Sequence, residues 1–271
     1  MKLINVRPGR AGRIVAGAVP IVLVLLAYAL AAALRHADNP ADKVLPTLGA
    51  MATAAWRMAT TPDPASDQVV LVADTLASLS RLGAGLALAT LSALVLGLLL
   101  GTVPVARAVF GPVITVIAVI PPIAVLPILF IALGLGEASK IALIAVGIAP
   151  YMTRDLAGFV AALPAEQFVK AETLGATSWT VAIRVALPQM LPRLIEALRL
   201  SIGPAWVFLI SAEAIASDVG LGYRIFLVRR YLAMDVILPY VVWISLLAIA
   251  ADALLRWVAR RAFPWARESR A

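Results

Sequence analysis

The feature that most constrains this chain is a series of apolar runs, each near the roughly 20 residues a helix needs to cross a hydrocarbon core. They fall at about 14–34, 75–102, 109–133, 139–158, 195–216 and 236–258. Inside lipid such a run must satisfy its backbone internally, which a helix does. The expected fold is all-α: a polytopic membrane protein with six transmembrane helices. Composition agrees, since 62% of residues are hydrophobic and only 14% are charged, against about a quarter charged in a soluble domain. Cysteine is absent and His36 is the single histidine. A disulfide framework is thereby excluded, and no metal site is expected.

The formal charge of +8 sits mainly beside the apolar runs. That placement reads as membrane orientation rather than nucleic-acid binding. Lys2, Arg7, Arg10 and Arg13 precede the first run, and Arg256, Arg260, Arg261, Arg267 and Arg270 end the chain. Both termini are therefore expected in the cytoplasm of a bacterial inner membrane, and an even number of spans agrees. The first run is too long for a cleaved signal core and reads as an uncleaved helix. Arg224, Arg229 and Arg230 lie in a segment this scheme puts outside, a local exception to the rule. Between the first two runs, VLPTLGAMATAAWRMA reads as a short surface helix before the turn-rich TTPDPASD.

Within the spans several residues stand out. AVIPPIAVLPILF places Pro121, Pro122 and Pro127 in apolar surroundings. Each removes a backbone donor, so a straight helix is not expected there. Broken backbone at membrane depth suits a position lining a pathway. Gly83, Gly85, Gly97 and Gly101 have spacings that allow close helix packing. Glu213 is the clearest intramembrane ionisable residue, a functional candidate by default. It is expected to form a structural or gating pair with an arginine such as Arg81. Trp206 and Ser211 are further candidates for the pathway, with helix packing the plainer role for Trp206. Arg154 and Asp155 are expected to form an anchoring pair, and GLGY at 220–223 a flexible external turn.

The polar stretch KAETLGATSWTVAIRVALPQMLP, 170–192, interrupts this apolar pattern. It reads as a helix from Ala165 to Leu174, a left-handed stop at Gly175, a turn through Ala176, Thr177 and Ser178, and a second helix from Trp179 to about Leu187. Ser178 is the expected N-cap, and Pro188 the expected end. Such a helical hairpin suits docking in a partner's groove.

On these residues the chain resembles the membrane-spanning subunits of ABC importers. Their signature runs Glu-Ala-Ala, three residues, Gly, nine residues, Ile-x-Leu-Pro. The match is Ala171, Gly175, Val185, Leu187 and Pro188, while Val169 stands at the glutamate position and Lys170 at the first alanine. Glu172 and Glu166 keep acids nearby. DTLASLSRLGAGLAL, IPPIAVLPILFIALGLGEASK, EAIASDVGLGYRI and DALLRWVARRAFPW are similar to the nitrate, taurine and aliphatic-sulfonate branch. The resemblance covers roughly 70–265.

It implies a type I ABC importer fold, with a first helix and external segment over 1–70, a permease domain over 71–265 and a cytoplasmic tail over 266–271. It implies a dimer of permease copies, two ABC ATPase subunits and a periplasmic substrate-binding protein. Lys170, Ala171, Glu172, Gly175, Ala176, Thr177, Ser178, Leu187 and Pro188 would then belong to the ATPase-coupling hairpin. ATP and Mg would be bound by the ATPase, because this chain has no GxxxxGK[ST] loop. The expected cargo is a small polar solute, nitrate-, taurine- or sulfonate-like, or urea- or guanidine-like. An ion-gradient-driven transporter is the alternative. An intramembrane enzyme is disfavoured by the lack of a nucleophile motif.

Overall fold

The computed structural model describes residues 9–40, 42–62 and 67–265. Lys2 and Arg7, residues 63–66 of the turn-rich stretch, and the tail 266–271 with Arg267 and Arg270 lie outside the described residues. Among those described, all regular structure is helical apart from one isolated bridge, Pro62 to Val69.

α1 (Arg10–Asp38) is followed by the short α2 (Leu48–Thr60). Thr47 caps α2 by accepting from the Ala50 N–H at 3.2 Å. Tyr28 donates to the Pro46 carbonyl at 2.8 Å, tying α1 to the start of α2. The intervening turn is held by Asp42, which pairs with Arg35 and accepts from the Val44 N–H. That backbone hydrogen bond, aided by the Arg35 guanidinium, holds the Asp42 carboxyl below its ordinary range.

The bundle proper comprises α3 (Val70–Thr102), α4 (Pro104–Val119), α5 (Pro122–Leu133), α6 (Glu137–Ala161), α9 (Leu187–Ala216) and α11 (Met234–Ala262). Between α6 and α9 lie α7 (Ala165–Thr173) and α8 (Ser178–Val181), and α10 (Leu221–Arg229) precedes α11. Five stretches are long and apolar enough to cross a membrane, and the α4–α5 pair makes a sixth if counted as one span. That pair is bent by 98°. The cause is local: Pro121 and Pro122 lack N–H groups, and Ile120 is extended at ψ 125, as a residue before proline prefers. Pro122 then opens α5 at a position where its missing donor costs nothing.

The core rests on α3 against α6. Gly85, Ala89, Ala93, Gly97 and Gly101 recur every fourth residue and are all buried. Facing them are Ile144, Ile148, Met152, Leu156 and Val160. A Cβ added at Gly85 would meet the Ile144 Cβ at 2.6 Å, one at Gly97 the Leu156 Cβ at 2.7 Å, and one at Gly101 the Val160 Cβ at 2.5 Å. The offset between partners is constant, so α3 and α6 run parallel with a stripe of small residues against a ridge of large ones. Gly83 is different: nothing lies within 4 Å of its added Cβ, and it lines an apolar groove between α3, α9 and α11.

The second hairpin helix does not stop at Pro188. α8 continues through a π-helical turn (Ala182–Ala186) into α9, making one helical run from Ser178 to Ala216. The wider turn, closed by the Leu187 N–H on the Ala182 carbonyl, lets Pro188 enter the helix near the start of α9. At about 1.5 Å per residue this rod is roughly 58 Å long. It links the hairpin to Glu213 at the other end of the bundle.

Candidate functional site

At the end of the bundle opposite the hairpin, α3 presents Asp74, Ser78 and Arg81. Spacings of four and three residues place them on one helix face. All three are buried, as is Glu213 of α9. Arg81 Nη1 donates to Glu213 Oε1 at 2.7 Å, so the structure brings together the two residues paired from sequence. Arg81 also donates to the Val219 carbonyl at 2.7 Å and grips Glu137 of α6 through Nε and Nη2. Lys140 reaches Glu137 Oε1 at 3.0 Å.

Both oxygens of the Glu213 carboxylate are engaged. Oε1 accepts from Arg81 and from Ser78 at 2.8 Å; Oε2 accepts from the Gly222 N–H at 2.8 Å and lies 3.0 Å from Ser78 Oγ. Asp74 is equally engaged: it accepts from the Gly220 N–H, from Arg224 Nε and from the Tyr240 hydroxyl, each at 2.9 Å. The Leu221 N–H donates to Ser78 Oγ at 2.8 Å. Three consecutive N–H groups at the start of α10 are thus received by Asp74, Ser78 and Glu213. This satisfies donors that a helix N-terminus leaves open, and puts two carboxylates where its dipole favours negative charge.

GLGY is therefore not the flexible turn expected from its glycines. Gly220, Leu221 and Gly222 are buried. Gly220 holds φ +136, and a Cβ there would lie 2.6 Å from the Glu213 carboxylate. At Gly222 an added Cβ would approach the Ile210 carbonyl oxygen to 2.8 Å. Glycine is required here by close approach and not by mobility. Three carboxylates (Asp74, Glu137, Glu213) stand against three cations (Arg81, Lys140, Arg224), joining α3, α6, α9 and α10, with Tyr240 adding α11. Asp74, Glu137, Lys140, Arg224 and Tyr240 were missed from sequence. The signal for Asp74 lay in its helical spacing to Ser78 and Arg81.

The other sequence candidates lie elsewhere. Pro121 and Pro122 form the α4–α5 break, Pro127 lies within α5, and none of the three takes part in the ionic cluster. Trp206 is buried, its Nε1 without a hydrogen-bond partner among the described residues. Ser211 donates within its own helix to the Val207 carbonyl at 2.8 Å. Asp155 pairs with Arg193 of α9 rather than with Arg154. On a helix adjacent residues point in different directions, so the neighbouring pair could not face each other.

The hairpin follows the sequence reading up to its cap. Gly175 sits at φ +85, and the Ala176 N–H returns to the Ala171 carbonyl at 3.0 Å while Gly175 N–H reaches Glu172 O at 2.9 Å. These two bonds close α7 in a Schellman turn. Thr177, not Ser178, caps α8, accepting from the Thr180 N–H at 3.3 Å. Gln189 of α9 holds Gln167 of α7 at 2.9 Å. Lys170, Glu172, Ser178 and Pro188 are exposed, Ala171, Ala176 and Leu187 partly so. Beside them stand three outward apolar side chains: Leu174 (81% exposed), Trp179 (75%) and Val169 (62%).

The buried ionic clasp, the broken span and the apolar-tipped hairpin are carried by a polytopic helical bundle of the membrane-spanning class. The family model described as "Binding-protein-dependent transport system inner membrane component" matches residues 93–264. The chain belongs to that family. It is 32% identical over 163 residues to a probable ABC transporter permease of Brucella melitensis, a match covering 59% of this chain and 65% of the relative. It is 37% identical over 150 residues to the taurine transport system permease of Escherichia coli, covering 55% of this chain and 54% of that one. The match thus spans a little over half to just under two thirds of these relatives. The likeness to the nitrate, taurine and aliphatic-sulfonate branch holds. A chain of the MetNI methionine ABC transporter, in an inward-facing crystal form, superposes with a TM-score of 0.58 at 22% identity. That superposition covers 70% of this chain and 96% of the other. The fold is that of a type I ABC importer permease.

Proposed function

We propose that this chain is the transmembrane permease subunit of an ATP-driven, binding-protein-dependent importer, working as a homodimer. The observation that carries this reading is the hairpin. It exposes Leu174 and Trp179 on a polar, tightly capped turn, and its second helix is continuous with α9. Apolar side chains held outward on a rigid scaffold suit a protein partner. The partner is a separate ATPase, two copies per dimer, which binds ATP and Mg and supplies the hydrolysis. Its closure would push on α7 and α8, and the α9 rod would carry that displacement to the clasp of Glu213, Arg81 and Gly220. Such a step is a rigid-body change between two packed states.

In this reading the hairpin and both termini face the cytoplasm, and α10 faces the periplasm, where the substrate-binding protein docks. Glu213 and Arg81 act as a gate clasp and not as substrate ligands, because Glu213 is fully buried with both oxygens already engaged by protein donors. The α4–α5 break at Pro121 and Pro122 and Pro127 within α5, together with Trp206 and Ser211, belong to the pathway side. The relatives point to a small anionic or zwitterionic solute of the taurine, sulfonate or nitrate kind. A urea- or guanidine-like cargo loses the cation partner that a free Glu213 would have supplied.

The test is co-purification of the ATPase with Leu174→Asp and Trp179→Ala variants that still insert in the membrane. Loss of ATPase binding and of ATP-dependent uptake is expected. Undiminished assembly in both, or uptake in vesicles lacking any ATPase, would overturn the assignment.

A further inference from the structure

A second polar feature lies at the hairpin end of the bundle, remote from the clasp. A pocket of about 340 Å³ opens between the end of α3, the start of α4 and the last turns of α6. Its polar side chains are Arg107, Thr115 and Arg154, and it has no carboxylate in its lining. Arg107 is aimed by two bonds to the last carbonyls of α3, Nε to Leu100 O at 2.7 Å and Nη2 to Gly101 O at 2.5 Å. Its Nη1 makes no hydrogen bond among the described residues. Arg154 makes neither an ion pair nor a hydrogen bond among them, and its side of α6 is exposed. Thr115 is occupied by the Gly111 carbonyl at 2.9 Å. The rest of the lining is apolar: Leu100, Pro112, Ile114, Ala157 and Ala161, with Gly111 and Gly158.

We propose that this pocket is a binding site for the phosphate headgroup of an anionic phospholipid. The two guanidinium groups hold the phosphodiester, and its acyl chains lie against the apolar lining at Pro112 and Ile114 of α4. Three observations converge. Two cations without acidic partners share one concave site, and a guanidinium fork matches phosphate oxygens. The site lies near the ends of two membrane-spanning helices, the depth at which headgroups sit. The rest of the pocket's lining is apolar, as an acyl chain requires. Basic pockets between transmembrane helices near a membrane surface are known to take such headgroups. The inference rests on the membrane-spanning fold and is independent of the ATPase assignment.

The experiment is lipid counting by native mass spectrometry on the full chain, delipidated in neutral detergent. Dioleoyl phosphatidylglycerol or dioleoyl phosphatidylcholine is then added back. The wild-type chain is expected to retain phosphatidylglycerol preferentially. Arg154→Gln, which removes an outward side chain with no partner, should weaken that retention about fivefold. Arg184→Gln takes the same charge from the exposed side of the π-helical turn and should leave retention unchanged. Equal retention of the two lipids by the wild-type chain overturns the proposal, whatever the variants do. An equal loss in Arg184→Gln overturns it too, since only net charge would matter. Displacement of the lipid by an equal concentration of soluble glycerol phosphate would assign the pocket to a free anion instead.

Discussion

At the scale of single residues, Glu213 concentrates the constraints. It is fully buried, and its charge is balanced by Arg81 at 2.7 Å and by the Gly222 N–H. Removing one partner of a buried ion pair strands the other, typically at about 3–5 kcal/mol. Glu213→Ala should therefore lower thermal stability in detergent by an amount in that range. Glu213→Gln keeps the shape but not the charge, so it should reduce uptake while leaving membrane insertion and ATPase assembly intact. Uptake equal to wild type in Glu213→Gln would remove any need for charge there. Gly220→Ala is the companion test. Its Cβ would press on the same carboxylate at 2.6 Å from a backbone at φ +136. A destabilisation of roughly 1–3 kcal/mol is expected from overpacking, read as a lower unfolding temperature.

At the scale of elements, the α3–α6 interface depends on which glycine is altered. Gly97→Leu places a side chain where Leu156 already stands at 2.7 Å, so the helices must separate. A loss of about 1–3 kcal/mol and reduced membrane yield are expected. Gly83→Ala meets nothing within 4 Å and should be neutral or slightly stabilising, by up to about 1 kcal/mol through helix propensity. Equal effects from the two substitutions would contradict the parallel register. The π-helical turn before Pro188 is a further element-scale feature. It joins the hairpin to α9 without a break, and disulfide-trapped distance changes on the two sides of the turn should move together.

At the scale of the whole molecule, the two ends of the bundle differ in chemistry. One end is closed by a neutral set of three acids and three bases linking α3, α6, α9 and α10. The other end presents the hairpin, joined to the bundle by Gln189–Gln167 and by α9 itself. One continuous helix, Ser178–Ala216, connects the hairpin to the clasp. Double substitutions at Trp179 and Glu213 should accordingly affect uptake less than additively, with uptake rates in vesicles as the readout. Strict additivity would indicate two independent functions.

The sequence by itself determined the membrane class, the span positions, the proline break and the glycine stop of the hairpin, because these follow from local chemistry. Two successive prolines, a glycine closing a short helix or a long apolar run acts through its immediate neighbours along the chain. It also brought out the Arg81–Glu213 pair, since charges in apolar surroundings need partners. Only the tertiary structure decided which groups complete that pair. Asp74 meets Gly220, Arg224 and Tyr240 from more than 140 positions away along the chain. The glycines of GLGY looked like freedom and are in fact filled space, because the atoms that crowd them belong to another helix. Pro188 looked like an end and is an entry point, because the π-helical turn before it admits a residue without a donor. Such outcomes depend on what packs against what, and no local spacing encodes them.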